Sequence, residues 1–206
     1  RYLTGDEEKR LRNALEARQE RYREERVSHN KWLTVRHRDG LSGLDERFTD
    51  YLMPMVIIAL NTGMRRGELF NLIWSDIDLE KRQLTVQGSG AKSGNTRYLP
   101  LNDEAFSTLV AWRNQNSGLG LVFPSPVTGE RLGHIKRSWA GLIKLADIHN
   151  FRFHDLRHSF ASKLVMAGVD LNTLRELLGH ASMDMTLRYA HLAPEHKAAA
   201  VALLNQ

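Results

Sequence analysis

The chain contains no cysteine among its 206 residues. This absence excludes a disulfide framework and a thiolate nucleophile, and it is compatible with a cytoplasmic protein. Long apolar runs are also missing, because the longest, residues 52–60, is too short to cross a bilayer and contains Pro54. The N-terminus carries no signal-peptide pattern and begins at Arg1. We therefore expect a cytoplasmic fragment of a longer protein.

The composition is that of a globular protein, with 42% hydrophobic and 26% charged residues. Its length suffices for one well-packed domain. Lysine and arginine number 29 against 24 acidic residues, a formal net charge of +5. Residues 131–206 hold ten basic and six acidic side chains, together with most of the histidines. This imbalance favours an anionic partner, and nucleic acid first.

Periodicity and capping signals predict a mainly α-helical fold with one small antiparallel β-sheet. Thr4 followed by Glu7 is a capping-box pattern that predicts a helix to about Arg26, with an irregular segment over 28–44. Ser182 is expected to be an N-cap, and Gly168 and Gly179 are expected to end helices. The other helices are expected at residues 46–61, 66–74, 103–114, 134–146, 155–167, 171–178, 183–192 and 195–205.

Two strands are expected at residues 84–87 and 97–101, joined by the glycine-rich segment 88–96. This arrangement predicts a β-hairpin with Lys92 at its tip. The segment 88–93 departs from a phosphate-binding P-loop, because Ala91 replaces the glycine before the lysine and a strand follows instead of a helix. A lysine ammonium at this tip can instead protonate a departing sugar oxygen.

Arginines and histidines in the sequence indicate chemistry on a phosphate. Arg157 lies one helical turn after His154, so both side chains project from one face. Together with Arg65, Arg157 can clamp the two non-bridging oxygens of a phosphodiester and stabilise the charge of its transition state. For any one arginine, the alternative is a surface salt bridge.

Tyr189 is the candidate nucleophile, and its phenol, with a pKa of about 10, needs a base to attack phosphorus. We expect His154 to take that proton and His180 to donate to a phosphate oxygen. The alternative role for Tyr189 is packing in a partly buried helix. Glu68 is expected to brace an arginine from behind, and His158 is expected to pack or to lie beside the phosphate.

A zinc site is the competing interpretation of this region, because His154 and His158 are four residues apart. It is disfavoured, since Asp155 stands where a zinc protease has glutamate and no third ligand follows at useful spacing. We therefore expect neither a metal nor another cofactor.

These residues lie in segments that resemble the motifs of the tyrosine recombinase family, which includes phage integrases and Xer-type recombinases. Residues 62–69, Thr-Gly-Met-Arg-Arg-Gly-Glu-Leu, resemble the first arginine box and assign that role to Arg65, with Glu68 as its acidic partner. Residues 91–94 resemble the hairpin lysine segment, which assigns Lys92. The order and spacing of the motifs match the family over nearly the whole chain.

The remaining motifs lie in the last third of the chain. The His-x-x-Arg-His segment supplies His154 and Arg157, and the Leu-Gly-His segment supplies His180. Residues 188–191, Arg-Tyr-Ala-His, supply the nucleophile Tyr189. Every catalytic position of the family pattern is therefore occupied.

The resemblance implies a site-specific DNA recombinase that works without metal or ATP. Tyr189 would attack a DNA phosphodiester, leaving a 3′-phosphotyrosyl bond and a free 5′-hydroxyl. A 5′-hydroxyl from a partner strand would reverse the step, and two rounds of exchange would pass through a Holliday junction. Family members act as homo-tetramers on two double-stranded DNA sites.

The resemblance also sets the domain organisation. Residues 1–206 are expected to form the catalytic domain, without the N-terminal core-binding domain that family members usually carry. Residues 195–206 are amphipathic and are expected to form a C-terminal helix that docks on a neighbouring subunit or on its own domain.

Two other functions share some of these features. A type IB topoisomerase or telomere resolvase would use the same chemistry on DNA. A non-enzymatic DNA-binding module would use the short helices of residues 155–192 as a helix-turn-helix, but it leaves Tyr189 and the histidines unexplained.

Overall fold

A computed structural model of the chain describes residues 1–40, 46–88, 96–116 and 118–193. The fold is mainly helical with one antiparallel sheet of three strands in the order β1-β2-β3, which confirms the predicted fold class. The helices are α1 Gly5–Thr34, α2 Leu52–Thr62, α3 Arg66–Asn71, α4 Asp103–Asn114, α5 Lys136–Leu145, α6 Asp155–Met166, α7 Leu171–Leu178 and α8 Asp184–Leu187. The strands are β1 Ile77–Asp78, β2 Gln83–Val86 and β3 Arg97–Pro100, and 3₁₀ turns cover Trp74–Asp76 and Ala190–Leu192.

Helix α2 forms the centre of the core, where it packs against α4 and α6. Nearly all its side chains are buried, as expected for a helix that is apolar on every face. The helix ends at Gly63, whose φ of 62° is left-handed. A Cβ at this position would also lie 2.4 Å from Cδ1 of Phe160, so only glycine fits without strain. The carbonyl that follows α2 is thereby placed beside α6.

Helix α1 begins with the capping box that the sequence predicts. The hydroxyl of Thr4 accepts the N–H of Glu7 at 3.2 Å, and the Glu7 carboxylate accepts the N–H of Thr4 at 3.0 Å. The helix then continues to Thr34, so the expected end near Arg26 and the expected irregular structure over 28–34 were wrong. No glycine or proline occurs between residues 6 and 34 to end the helix.

Helix α2 starts later than the sequence suggested, at residue 52 rather than 46. The carboxylate of Asp50 accepts the N–H of Leu52 at 2.9 Å and is held by Arg18, whose Nη1 donates to it at 2.9 Å. This side-chain hydrogen bond satisfies the first turn, and the preceding residues place Phe48 in the core instead of continuing the helix.

The expected helix over 183–192 is interrupted. Helix α8 covers Asp184–Leu187, Met183 rather than Ser182 occupies the N-cap position, and a 3₁₀ turn follows Tyr189. The carbonyl of Thr186 accepts the N–H of Tyr189 at 2.9 Å, a three-residue hydrogen bond that tightens the chain. Tyr189 therefore sits at a junction between two short helical segments.

Strands β2 and β3 pair in register, with Leu84 opposite Leu99 and both side chains buried. The sequence analysis predicted this pair but missed β1, which has only two residues. Lys92 lies outside the described residues, as does the expected helix over 195–205. Within the described ranges, no helix is long and apolar enough to cross a membrane.

Candidate active site

Three arginines from three parts of the chain converge on the end of helix α7. Arg97 Nε donates to the carbonyl of Leu177 at 3.0 Å, and Arg157 Nη2 donates to the carbonyl of Leu178 at 2.6 Å. Arg65 Nη2 lies 3.4 Å from the carbonyl of Gly179. These carbonyls belong to a helix C-terminus, which has unpaired acceptors and a partial negative charge. The sequence-predicted residues Arg65 and Arg157 are therefore brought together.

Gly179 allows this convergence because it ends α7 with a left-handed φ of 62°. A Cβ at residue 179 would lie 2.9 Å from Cδ of Arg97, so the arginine side chain packs directly on the glycine backbone. The expected helix end at Gly179 is confirmed, and the close approach gives its physical reason.

Glu68 balances part of this positive charge. Its carboxylate accepts Arg97 Nη2 at 2.7 Å, Arg65 Nη1 at 2.9 Å and the backbone N–H of Arg65 at 2.7 Å. Burial alone would raise the pKa of Glu68, but the hydrogen bonds and charge of Arg97, with the contacts of Arg65, hold that pKa below its usual value. Three arginines thus face one carboxylate, which leaves an excess of positive charge.

We expect Glu68→Gln to destabilise the fold strongly. The substitution leaves the buried Arg97 without its counter-charge, and breaking a buried pair in this way costs about 3–5 kcal/mol. Urea denaturation of both proteins measures the difference in the free energy of unfolding. The matched control is Asp103→Asn, which removes the exposed pair with Arg82 and should cost less than about 1 kcal/mol. Equal losses in the two variants would contradict a structural role for the buried pair.

Arg157 joins the ends of two helices. Its Nη1 donates to the carbonyl of Gly63 at 2.8 Å while Nη2 reaches Leu178, and only 4% of the residue is exposed. Burial and the neighbouring charge of Arg65 lower the pKa of Arg157 to about 9. This value remains above neutral pH, so the guanidinium is charged at pH 7. A planar guanidinium suits this position because it bridges two carbonyls at once.

Tyr189 is buried in a small apolar cluster between α6 and α7, where its ring packs with Val165, Leu174 and Leu178. Its hydroxyl lies 2.6 Å from Nδ1 of His158. Burial raises the pKa of Tyr189, against the lowering effect of Arg188 and Arg157, so the phenol is protonated at neutral pH. The side chain is held in place by its ring and presents one polar atom to a histidine.

The partner of the Tyr189 hydroxyl is therefore His158 and not His154, which the sequence analysis had placed there. His154 and His158 are adjacent, with ring centroids 5.4 Å apart at 90°. Burial and the charge of Arg188 lower the pKa of His158 to about 4. Its ring is therefore neutral at pH 7 and has a nitrogen lone pair that can accept a proton. Much of His154 is exposed to solvent. Its pKa is nevertheless lowered, by the desolvation of the buried part of its ring and by the charge of Arg157.

His180 follows Gly179 directly and is buried close to the arginines. Its Nδ1 lies 2.8 Å from the hydroxyl of Thr186. Burial and the charges of Arg157 and Arg65 lower the pKa of His180 to about 4, so this ring is also neutral at pH 7. Its remaining polar atom, Nε2, is available for an interaction with a ligand.

Sequence analysis missed two residues of this site, Arg97 and Thr186. A signal for Arg97 was present, because it alternates with the exposed Tyr98 and shares the inward face of β3 with Leu99. Thr186 gave no comparable signal, since its contact with His180 depends on the tight chain path around α8. The remaining predicted residue, Lys92, lies outside the described residues.

A separate cleft of about 980 Å³ is lined by residues of α5 and of the segment that leads to α6. Four exposed cationic side chains line it, Arg66 next to Arg65, Arg152 two residues before His154, and Lys136 and Lys144 on α5. Asp147 is the one acidic side chain in this lining, and it pairs with His149. These cations give the cleft a positive charge, while most of its lining, including Trp139, Ile143 and Phe151, is apolar. Among the described residues, no group of three or more potential ligands could hold a metal ion.

The fold and this arrangement define the class of protein, a mainly helical domain in which arginines, histidines and one tyrosine form a single site. Residues 43–196 match the family model described as the phage integrase family, so the chain belongs to that family. The match confirms the resemblance drawn from the sequence motifs.

Individual relatives agree with the family assignment. The chain is 36% identical to the integrase of Salmonella phage P22 over 155 residues, which are 70% of this chain and 40% of the relative. The catalytic domain of bacteriophage HP1 integrase superposes with a TM-score of 0.58 at 32% identity, covering 72% of this chain and 79% of that one. The Tn1549 transposon integrase in complex with circular intermediate DNA shares the fold, with a TM-score of 0.61 at 23% identity and coverage of 74% and 59%.

Proposed function

We propose that the chain is the catalytic domain of a site-specific DNA recombinase, with residues 1–206 as one catalytic unit. The observation that carries this proposal is the buried Tyr189 hydroxyl, 2.6 Å from a neutral histidine, on elements that also hold the arginine cluster. A phosphate needs positive charge around its oxygens, and a phenol needs a proton acceptor. Both requirements are met by Arg65 at the start of α3, Arg97 on β3, and Arg157 and His158 on α6.

In the proposed cleavage step, the oxygen of Tyr189 forms a bond to the scissile phosphorus while the bond to the 5′ oxygen breaks. His158 accepts the phenol proton. The ring of His154 lies beside that of His158. Arg65, Arg157 and His180 bind the non-bridging oxygens, where negative charge grows. Lys92 supplies the proton that the departing 5′ oxygen requires. The products are a 3′-phosphotyrosyl bond and a free 5′-hydroxyl.

The covalent product explains why religation would need no energy source. The phosphodiester is exchanged for another phosphodiester, so a 5′-hydroxyl from a partner strand can attack and release Tyr189. We propose double-stranded DNA as the partner, with its scissile phosphate bound at the arginine cluster. By resemblance to its family, we propose that the full-length protein acts as a homo-tetramer across two DNA sites.

The test is a suicide DNA substrate whose nick lets the strand beyond the scissile phosphate diffuse away. The protein is incubated with it without metal or ATP, and a denaturing gel reveals covalent adducts. Trypsin then cuts the adduct after Arg188 and Lys197, so mass spectrometry should find the nucleotide on the peptide of residues 189–197. DNA attached to another residue, or no adduct on attachment-site DNA, would overturn the proposal. Relaxation of any supercoiled plasmid without site preference would indicate a type IB topoisomerase instead.

A further inference from the structure

The hydroxyl of Thr186 is buried with the histidine that it contacts. Thr186 has no exposed surface, and His180 is 8% exposed. The distance between Thr186 Oγ1 and His180 Nδ1 is 2.8 Å, which is a hydrogen bond of normal length. Within the described part of the chain, this histidine is the one hydrogen-bond partner of the Thr186 hydroxyl. The Thr186 hydroxyl is therefore shielded from water, and its hydrogen bond is to Nδ1 of His180.

The direction of this hydrogen bond determines the tautomer of the imidazole. A neutral histidine carries its proton on one ring nitrogen and accepts with the other. If the threonine hydroxyl donates to Nδ1, the proton of His180 must lie on Nε2. If Nδ1 carries the proton, the buried hydroxyl hydrogen is left without an acceptor, which costs about 1–3 kcal/mol. The geometry therefore favours donation by Thr186.

We propose that Thr186 is a positioning residue that fixes His180 as the Nε2–H tautomer, so that His180 presents a donor to the anion held by Arg65 and Arg157. The inference rests on the proposed function, because a non-bridging phosphate oxygen is the acceptor in that mechanism. Burial of the ring and the surrounding arginine charges lower the pKa of His180 and keep the ring neutral at pH 7. A neutral donor of fixed orientation can stabilise phosphate charge without first gaining a proton.

Thr186 has a second role through its backbone. Its carbonyl accepts the N–H of Tyr189 at 2.9 Å, and its own N–H donates to Met183 at 2.7 Å. These backbone hydrogen bonds fix the position of Tyr189, which follows Thr186 by three residues. They do not involve the Thr186 hydroxyl. A substitution that changes only the side chain therefore separates the orientation of His180 from the placement of Tyr189.

The test compares Thr186→Val, which keeps the branched shape without the hydroxyl, with Thr186→Ser, which keeps the hydroxyl. Nitrogen-15 NMR of the His180 ring at pH 7 reports which nitrogen is protonated. We expect Nε2–H in the wild type and in Thr186→Ser, and a mixture of tautomers or Nδ1–H in Thr186→Val. The rate of covalent adduct formation should fall roughly ten-fold in Thr186→Val, the equivalent of one hydrogen bond, and stay near wild type in Thr186→Ser.

The two measurements separate this inference from the proposed function. If the wild type forms no adduct, the proposed function fails, while the NMR signals still decide the tautomer. An unchanged tautomer in Thr186→Val would overturn the inference, whether or not the rate changes. If the valine variant does not fold, Thr186→Ser decides alone, since a mixture of tautomers in that variant would overturn the role of the hydroxyl.

Discussion

Replacing Tyr189 by phenylalanine is expected to abolish the covalent protein–DNA product completely. In the proposed mechanism the hydroxyl oxygen of Tyr189 bonds to phosphorus, and the substitution removes this atom. A water molecule in its place could not link the protein covalently to DNA. The ring remains, so its packing with Val165, Leu174 and Leu178 is kept. Stability should fall by only about 0.5–1.5 kcal/mol, the loss of the hydrogen bond to His158.

A denaturing gel with the suicide substrate measures the covalent product, and a gel shift with intact DNA measures binding. We expect binding of Tyr189→Phe to match the wild type, because in the proposed complex the arginines and His180 bind the phosphate oxygens, and the substitution removes no charge. Tyr98→Phe is the matched control, since Tyr98 is 61% exposed on β3, and it should form adduct at the wild-type rate. Adduct formation by Tyr189→Phe would exclude this residue as the nucleophile.

Local signals in the sequence predicted most of the helices well. The boundaries of α4 and α7 agree with the expected ranges 103–114 and 171–178, because each begins with a side-chain cap, Asn102 and Asp170. The long helix α1 was underestimated, since polar residues without a turn signal can continue a helix. Helix α8 was overestimated, because the hydrogen bond from the N–H of Tyr189 to the carbonyl of Thr186 tightens the chain into a three-residue turn.

For the site too, the sequence predicted most of the residues that take part, but few of the contacts between them. Its motif residues could be recognised in the sequence because their chemistry is unusual in combination. Glu68 was recognised as an arginine's partner, but its pairing with Arg97 was not, because the two residues are 29 apart and meet only after the sheet and α3 have packed. His154 and His158 are four residues apart and lie on one face, so the contact of Tyr189 with His158 depends on where along α6 the segment at Tyr189 packs. Such choices follow from packing, and spacing along the chain does not determine them.

Arg65→Ala is expected to lower the rate of cleavage by about 10²–10³, the usual effect of removing one transition-state donor. The fold should tolerate this change, because Arg65 is a partly exposed side chain and Glu68 keeps its pair with Arg97. Arg157→Ala is expected to lose at least as much activity and much more stability. It removes the bridge between the carbonyls of Gly63 and Leu178 and leaves both buried groups without that donor.

Single-turnover adduct formation at saturating DNA and urea denaturation of each variant distinguish the two arginines. Arg82→Ala is the matched control, since Arg82 makes an exposed pair with Asp103 and should change neither quantity appreciably. Near-wild-type cleavage by Arg65→Ala would reject the two-arginine clamp. Equal stability of Arg65→Ala and Arg157→Ala would show that the carbonyl bridge does not support the fold. The expected pair of results would instead show that Arg65 acts mainly on the transition state, whereas Arg157 joins the charge of the site to the packing of α2 and α7.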